Sequence, residues 1–306
     1  MTSKIFIMIP FIKYKNIFLI LTALAVVASA AAIAYFGLKP GVEFTGGSVL
    51  QIEYAGERPA NGVISEKIAP LGLKDVSLYA EGDKSVIIRT ETLDETKHAG
   101  LLNALDATGQ FTEKSFETIG PVVGKELTDK MTVLVLISLL AMLVYIAVAF
   151  RNVPGPVSSW QYGVASFFIL SHDVLVSLGI FAALGALYGV QITIPIITAL
   201  LTVVGYAINN VIVVYDRVRE NLLRDHKADF AEISNRAVNQ TLSRQINTSV
   251  ATLLPVFAIY FWAGASLKYF ALALILGIVT GTYSSVFLAS QLLVVWMGWR
   301  NKKVRK

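Results

Sequence analysis

Residues 191–221, QITIPIITALLTVVGYAINNVIVVYDRVREN, hold an apolar run long enough to cross a bilayer. Two adjacent amides, Asn209 and Asn210, notch its second half, and the mixed-charge cluster Asp216-Arg217-Val218-Arg219-Glu220 ends it. A spanning helix needs about 20 predominantly apolar residues. Polar groups inside one usually face protein or a wet cavity instead of lipid. A stiff rod that is polar in the middle and charged at one end reads as a moving or coupling part, and it can only work inside a larger helical assembly.

The composition supports that assembly. Apolar residues make up 55% of the 306 and charged residues 15%, with mean hydropathy +0.63. Soluble domains carry about 25% charged residues, so the chain reads as an α-helical polytopic membrane protein. With no cysteine, disulfides, thiolate metal sites and thiol nucleophiles are excluded. His98, His172 and His226 are far apart and lack zinc-ligand spacing; no metal or other cofactor is expected. The net charge of +5 is no nucleic-acid signal, because the basic residues gather at span ends, where they set orientation.

The spacing predicts six spans and one hydrophilic domain. The first span runs from about Ile17 to Phe36, behind Lys4, Lys13 and Lys15. Ala28-Ser29-Ala30 resembles a signal-peptidase site, but the run exceeds the roughly 7–15 residues of a signal h-region, so an uncleaved first span is expected. Residues 37–130 form the hydrophilic domain. Strands are predicted at Val42–Tyr54, Asp75–Tyr79, Ser85–Thr90 and Phe111–Ile119, and helices at Asn61–Ile68 and Leu93–Ala107. That βαββαβ order is the split-βαβ, ferredoxin-like pattern. Five further spans are placed at Met131–Phe150, Gln161–Leu187, Ile192–Tyr215, Ile246–Trp262 and Tyr269–Trp296. The domains are thus 1–36 (N-terminus and first span), 37–130, a five-span membrane domain 131–299 with a polar linker 216–245, and a basic tail 300–306. The N-terminus, Arg151 beside the breakers Pro154-Gly155-Pro156, the linker and the tail are all basic. The positive-inside rule puts them, and both termini, in the cytoplasm, with 37–130 outside.

Of the 21 carboxylates, fifteen lie in 37–130 and five in 216–232. The remaining one, Asp173, sits mid-span, where translocon scales put an Asp at about 2.5–3.5 kcal/mol unfavourable. It is either a proton-titrating or ion-pairing group with His172 as neighbour, or a carboxylate that fixes helix packing. Arg244 either snorkels at a helix end or meets Asn210. The two spans are antiparallel, and Asn210 stands about 9 Å above Asp216 at 1.5 Å per residue. Asp216, Arg217, Arg219 and Glu220 most simply form a solvated helix end. Gly277, Gly281, Ser285 and Ala289 recur every fourth residue, a stripe that lets another helix approach, and Gly185 and Gly189 carry a weaker form of it. Gly46-Gly47 opens no helix and is not a phosphate loop. No G-x-S-x-G, H-E-x-x-H or Walker loop occurs, so an enzyme is not expected.

Five motifs, in order and over nearly the whole chain, carry a resemblance: GVEFTGG (41–47), SHDVLVSLGIF (171–181), VGYAINNVIVVYDRVREN (204–221), AVNQTLSR (237–244) and ALALILGIVTGTYSSVF (271–287). Together they resemble the SecF proteins of the SecD/SecF protein-export family, within the RND superfamily. The resemblance implies six spans and an extracytoplasmic domain, which contains the motif residues Phe44, Gly46 and Gly47. It also implies pairing with SecD and association with the SecYEG translocon, with YidC- and YajC-type subunits as further candidates. The implied activity is proton-motive-force-dependent translocation and release of preproteins across a bacterial or archaeal plasma membrane. The length is that of a free-standing SecF, not of a SecD–SecF fusion. Relatives commonly carry Asp where this chain has Asn210, an Asp implicated in proton passage together with the arginine matching Arg244. An amide cannot titrate, so Asp173 or a carboxylate of SecD would have to stand in. The alternatives are a passive scaffold of the translocon and an RND-type exporter, for which a single external domain is thin.

Overall fold

The computed structural model describes residues 8–150, 157–225, 227–263 and 265–304. Lys4, Arg151, the breakers Pro154-Gly155-Pro156, His226 and the side chains of the tail 300–306 lie outside the described residues. The chain divides into a helical unit (Met1–Gly37, Val135–Ile180, Pro195–Lys306) and a sheet unit (Leu38–Leu134, Phe181–Ile194).

In the sheet unit, strand β1 (Gly47–Tyr54) lies between β3 (Ser85–Thr90) and β4 (Phe111–Ile119), and β2 (Ser77–Glu81) borders β3. The four strands pair antiparallel throughout, in the order β2-β3-β1-β4. Successive strand residues point to opposite faces, so Leu50, Ile52 and Tyr54 of β1 and Val86 and Ile88 of β3 turn to one side. There they meet Ile64 and Ile68 of a helix at Asn61–Ile68 and Leu101 and Leu105 of a second at Glu95–Asp106. Asp94 caps the second helix by accepting from the Lys97 N–H at 2.8 Å, a cap worth about 1 kcal/mol.

Two predicted strands are corrected. Val42–Thr45 is a single helical turn, and the strand starts only at Gly47. The cause is the glycine pair. Gly46 has φ +74 and Gly47 φ +127, a left-handed backbone that ends extended geometry and that only glycine adopts freely. The strand predicted from Asp75 begins instead at Ser77, because Asp75 itself has φ +55.

The long helices are numbered here in chain order: α1 (Lys15–Phe36), α2 (Pro121–Ala149), α3 (Ser159–Tyr188), α4 (Ile194–Arg224), α5 (Phe230–Trp262), α6 (Ala265–Phe287) and α7 (Ala289–Val304). Among the described residues, five stretches are long and apolar enough to cross a membrane: Phe11–Phe36, Pro121–Ile146, Ser159–Tyr188, Ile194–Arg224 and Leu267–Phe287. The span expected at Ile246–Trp262 is the second half of α5 and is not one of the five. Asn247, Thr248, Ser249 and Thr252 dilute its apolar content, and Pro255 interrupts its ladder. The last expected span, Tyr269–Trp296, is divided at Leu288 between α6 and α7. Just before the break, Ser284 and Ser285 hydroxyls bond back to the Gly281 and Thr282 carbonyls, a local competition that disturbs helix ends. The polar linker 216–245 is mostly helix. Helix α4 continues to Arg224, α5 begins at Phe230 with Asp229 as its cap, and Asn221 donates to Gln240 at 3.0 Å between them.

Helix α4 is the buried centre of the helical unit. Val203, Val204, Ala207, Val211, Val214, Tyr215 and Val218 are all nearly inaccessible. All but Val203 belong to one core with Ile169, Ala237, Ala289 and Leu293 from the surrounding helices.

Candidate functional site: a buried carboxylate between helices

The site begins with glycines. A Cβ on Gly277 of α6 would lie 2.2 Å from Val203 Cγ1, and one on Gly281 would lie 2.9 Å from Ala207 Cβ. Helices α6 and α4 therefore touch nearly backbone to backbone along the small-residue stripe, the kind of approach that small residues permit in membranes.

At the edge of this contact, Asp173 of α3 is 1% exposed. Its Oδ2 accepts from the Ser284 hydroxyl of α6 at 2.8 Å, and its Oδ1 is 2.9 Å from His172 Nδ1. A Cβ on Gly281 would be 3.7 Å from that same Oδ2, in ordinary contact with the carboxylate. His172 is also buried, and its ring lies 6.4 Å from Tyr283. Tyr283 in turn donates to the Phe18 carbonyl of α1 at 3.2 Å. A lone buried carboxylate is costly in an apolar medium unless partnered, and here each oxygen has one.

A second polar layer joins α5 to α6. Gln245 accepts from the Ser285 hydroxyl and donates to Thr241 Oγ1 at 3.2 Å. Ser249 lies 2.6 Å from Thr282 Oγ1 and 2.9 Å from the Tyr206 hydroxyl. Asn210 is 3% exposed, and its Nδ2 has no hydrogen-bond partner among the described residues; Asn209 is exposed.

The expected approach of Asn210 to Arg244 is not seen. The nearby antiparallel pairing of Tyr206 with Ser249 puts Asn210 about level with Gln245. Consecutive helical residues point about 100° apart at 3.6 residues per turn. Gln245 takes the buried position, so Arg244 is turned outward and exposed. Among the described residues its guanidinium makes no hydrogen bond or ion pair. The helix-end cluster pairs locally, Arg217 and Arg224 each 2.6 Å from Glu220 and Arg219 3.9 Å from Asp216. Half-exposed pairs of this kind contribute about 0–1 kcal/mol.

In the sheet unit, the GVEFTGG motif seats the start of α2. A Cβ on Gly46 would lie 2.8 Å from Pro121 Cα, and one on Gly124 would lie 3.1 Å from the Phe44 carbonyl oxygen. Thr128 donates its hydroxyl to that carbonyl at 3.3 Å. Gly47 passes close to the Thr90 carbonyl oxygen, at 2.8 Å from its would-be Cβ. Gly185 and Gly189 belong to no helix stripe: they face the Val190 carbonyl with Lys39, and Tyr79, respectively.

Ser284, Gln245, Ser249 and Thr282 were not singled out from sequence. Thr241, Gln245 and Ser249 recur every fourth residue of α5, a readable signal for a polar inner face. Ser284 offers no such signal.

Residues 101–299 match the family described as protein export membrane protein SecD/SecF, C-terminal, and residues 32–56 match the SecD/SecF GG motif. The protein translocase subunit SecF of Thermobaculum terrenum is 37% identical over 303 residues, covering 94% of this chain and 94% of that one. The protein translocase subunit SecDF of Thermus thermophilus is 34% identical over 294 residues, covering 91% of this chain and 37% of that protein. The crystal structure of SecDF from Thermus thermophilus, described as a translocon-associated membrane protein, superposes with TM-score 0.86 at 32% identity, covering 97% of this chain. The chain spans 40% of the length of that solved protein.

Proposed function

The chain belongs to the SecD/SecF family of protein-export membrane proteins, and on that premise we propose that it is the SecF-type subunit of a SecDF accessory complex. In this reading it helps preproteins through and off the SecYEG channel at the expense of the proton-motive force. The second half of α5 is the sixth span, the sheet unit is a ferredoxin-like head outside the plasma membrane, and both termini are cytoplasmic. The βαββαβ order with strand order β2-β3-β1-β4 supports the head assignment. SecD is the partner, with YidC- and YajC-type subunits as further associates.

One observation carries the proposal of proton coupling: a fully buried Asp173 bonded to His172 on its own helix and to Ser284 on another. A proton arriving at this pair changes a bond that links α3 to α6, and so changes how the two helices hold each other. Arg244, exposed and without a counter-ion among the described residues, is suited to a carboxylate supplied by SecD. That carboxylate would take the load that Asn210 cannot carry, with Asp173 assisting.

The test is preprotein translocation in proteoliposomes holding the cognate SecD and SecYEG. Asp173→Asn is expected to lower the gradient-stimulated rate and leave the gradient-free rate in place. An unchanged stimulation would favour a passive scaffold, the reading that the untitratable Asn210 supports.

A further inference from the structure

The segment that joins α3 to α4 is grouped with the sheet unit, and the contacts that hold it there are largely made by backbone. The Ile192 N–H donates to the Lys39 carbonyl at 2.7 Å, and the Gly41 N–H donates to the Ile192 carbonyl at 2.8 Å. Pro40 and Ile192 thereby form an isolated parallel bridge. Three positions further back, Gly189 has φ +70 and lies flat on Tyr79; a Cβ there would be 1.8 Å from Tyr79 Cδ1. Arg89 donates from Nη1 to the Gly189 carbonyl at 3.0 Å, with its guanidinium 4.8 Å over the same Tyr79 ring.

Glu43 closes the other end. Its carboxylate folds over Gly41, where a Cβ would be 2.2 Å from Oε2. It accepts from the backbone N–H of Ile194, the first residue of α4. A helix leaves its first four N–H groups without intrahelical partners, and a carboxylate at that end also meets the positive pole of the helix dipole. The acidic residue of the GVEFTGG motif is thus a helix cap delivered from a distant part of the chain, and Gly41 gives it room.

We infer that Glu43, with the Arg89–Tyr79 clamp on Gly189, fixes the α3–α4 connection within the sheet unit, so that the last turns of α3 and the first residue of α4 move with the sheet as one body. This rests on the proton-driven reading above, because α3 carries Asp173 and α4 carries Asn210. Glu43 is a positioning residue that acts through α4. The charged groups that bear on its carboxylate are Glu117 and Arg89. Either end alone would hold the segment at one point and let it pivot; the two together fix its direction.

The native chain has no cysteine, so a Pro40→Cys/Ile192→Cys pair reports on the joint alone, and bridge partners lie within disulfide reach. In the full chain with its partners, that pair is expected to cross-link fast and completely, with or without a proton gradient. The oxidised protein is expected to keep its gradient-stimulated translocation. Slow or partial cross-linking would overturn the fixed connection, and so would stimulation that is lost on oxidation and restored by reductant. Adding Glu43→Ala is expected to slow cross-linking about fivefold, in line with a lost helix cap. In the cysteine-free chain it should lower gradient stimulation while sparing the gradient-free rate. Glu43→Gln, whose amide oxygen still accepts the N–H, is expected to rescue both; cross-linking indifferent to Glu43→Ala would overturn its capping role. If wild type shows no gradient stimulation at all, the proton-driven reading fails, while the cross-linking arm still decides the joint.

Discussion

Asp173 is held by two hydrogen bonds of unequal origin, and they can be separated by substitution. His172 is its chain neighbour, whereas Ser284 reaches it from another helix. Ser284→Ala is expected to leave Oδ2 without a donor and to lower the thermal stability of the purified chain by about 1–3 kcal/mol, with no change in secondary structure by circular dichroism. Glu43 behaves differently, because it sits at a half-buried joint. Burial raises its carboxyl above the ordinary carboxylate value, outweighing the backbone N–H groups of Glu43 and Ile194 that lower it. A carboxyl whose folded value is raised binds its proton more tightly in the folded state. Its contribution to stability is therefore most favourable at low pH, and it falls as pH rises from the ordinary value of 4.5 through the raised one. Glu43→Gln does not titrate. It is expected to melt higher than wild type near neutral pH, with the difference vanishing below the ordinary carboxylate range. A constant difference across that range would contradict the burial argument.

At the scale of elements, α5 carries the open question of the sixth crossing. The polar residues of this stretch divide between faces: Gln245 and Ser249 turn inward to Ser285 and Thr282 of α6, while Asn247 and Thr248 are exposed. A helix whose polar groups face protein can cross a bilayer at lower mean hydropathy than one bathed in lipid. Single cysteines at Lys227 and Lys268, on either side of that helix, are expected to react with a membrane-impermeant thiol reagent from opposite sides; labelling from one side would leave five crossings. The elements that were legible from sequence are those whose signal is local. Ser85–Thr90 and Phe111–Ile119 alternate in period two next to turn residues, and Asn61–Ile68 is a short amphipathic helix. Val42–Thr45 misled because an alternating apolar pattern also fits one helical turn, and only the backbone angles of Gly46 and Gly47 separate the two. The partner of Asp173 was illegible for the opposite reason. Ser284 is 111 residues away, and nothing in a serine declares which helix it will face. For Arg244 the two readings, an outward helix-end side chain or a contact with Asn210, differ only in helical phase, which spacing alone cannot fix.

At the scale of the whole molecule, Arg244 of the helical unit is a cation whose guanidinium pairs with nothing among the described residues. A guanidinium at the level of buried amides is costly to leave unpaired once lipid or protein covers it. Arg244→Gln is therefore expected to weaken co-purification with SecD about tenfold or more, the loss that about 1.4 kcal/mol represents. Undiminished binding in a pull-down titration would mean that Arg244 simply reaches the headgroups. The first helix is tied into the same unit by a tight seam. Ser29 of α1 is buried, and a Cβ on Gly179 of α3 would lie 2.5 Å from Ser29 Cβ. Ser29 is also the middle of Ala28-Ser29-Ala30, the tripeptide a processing peptidase would read. The seam cannot close until residue 179 has left the ribosome, so the susceptibility of that tripeptide is a matter of timing during synthesis: a race between a protease and the arrival of a glycine.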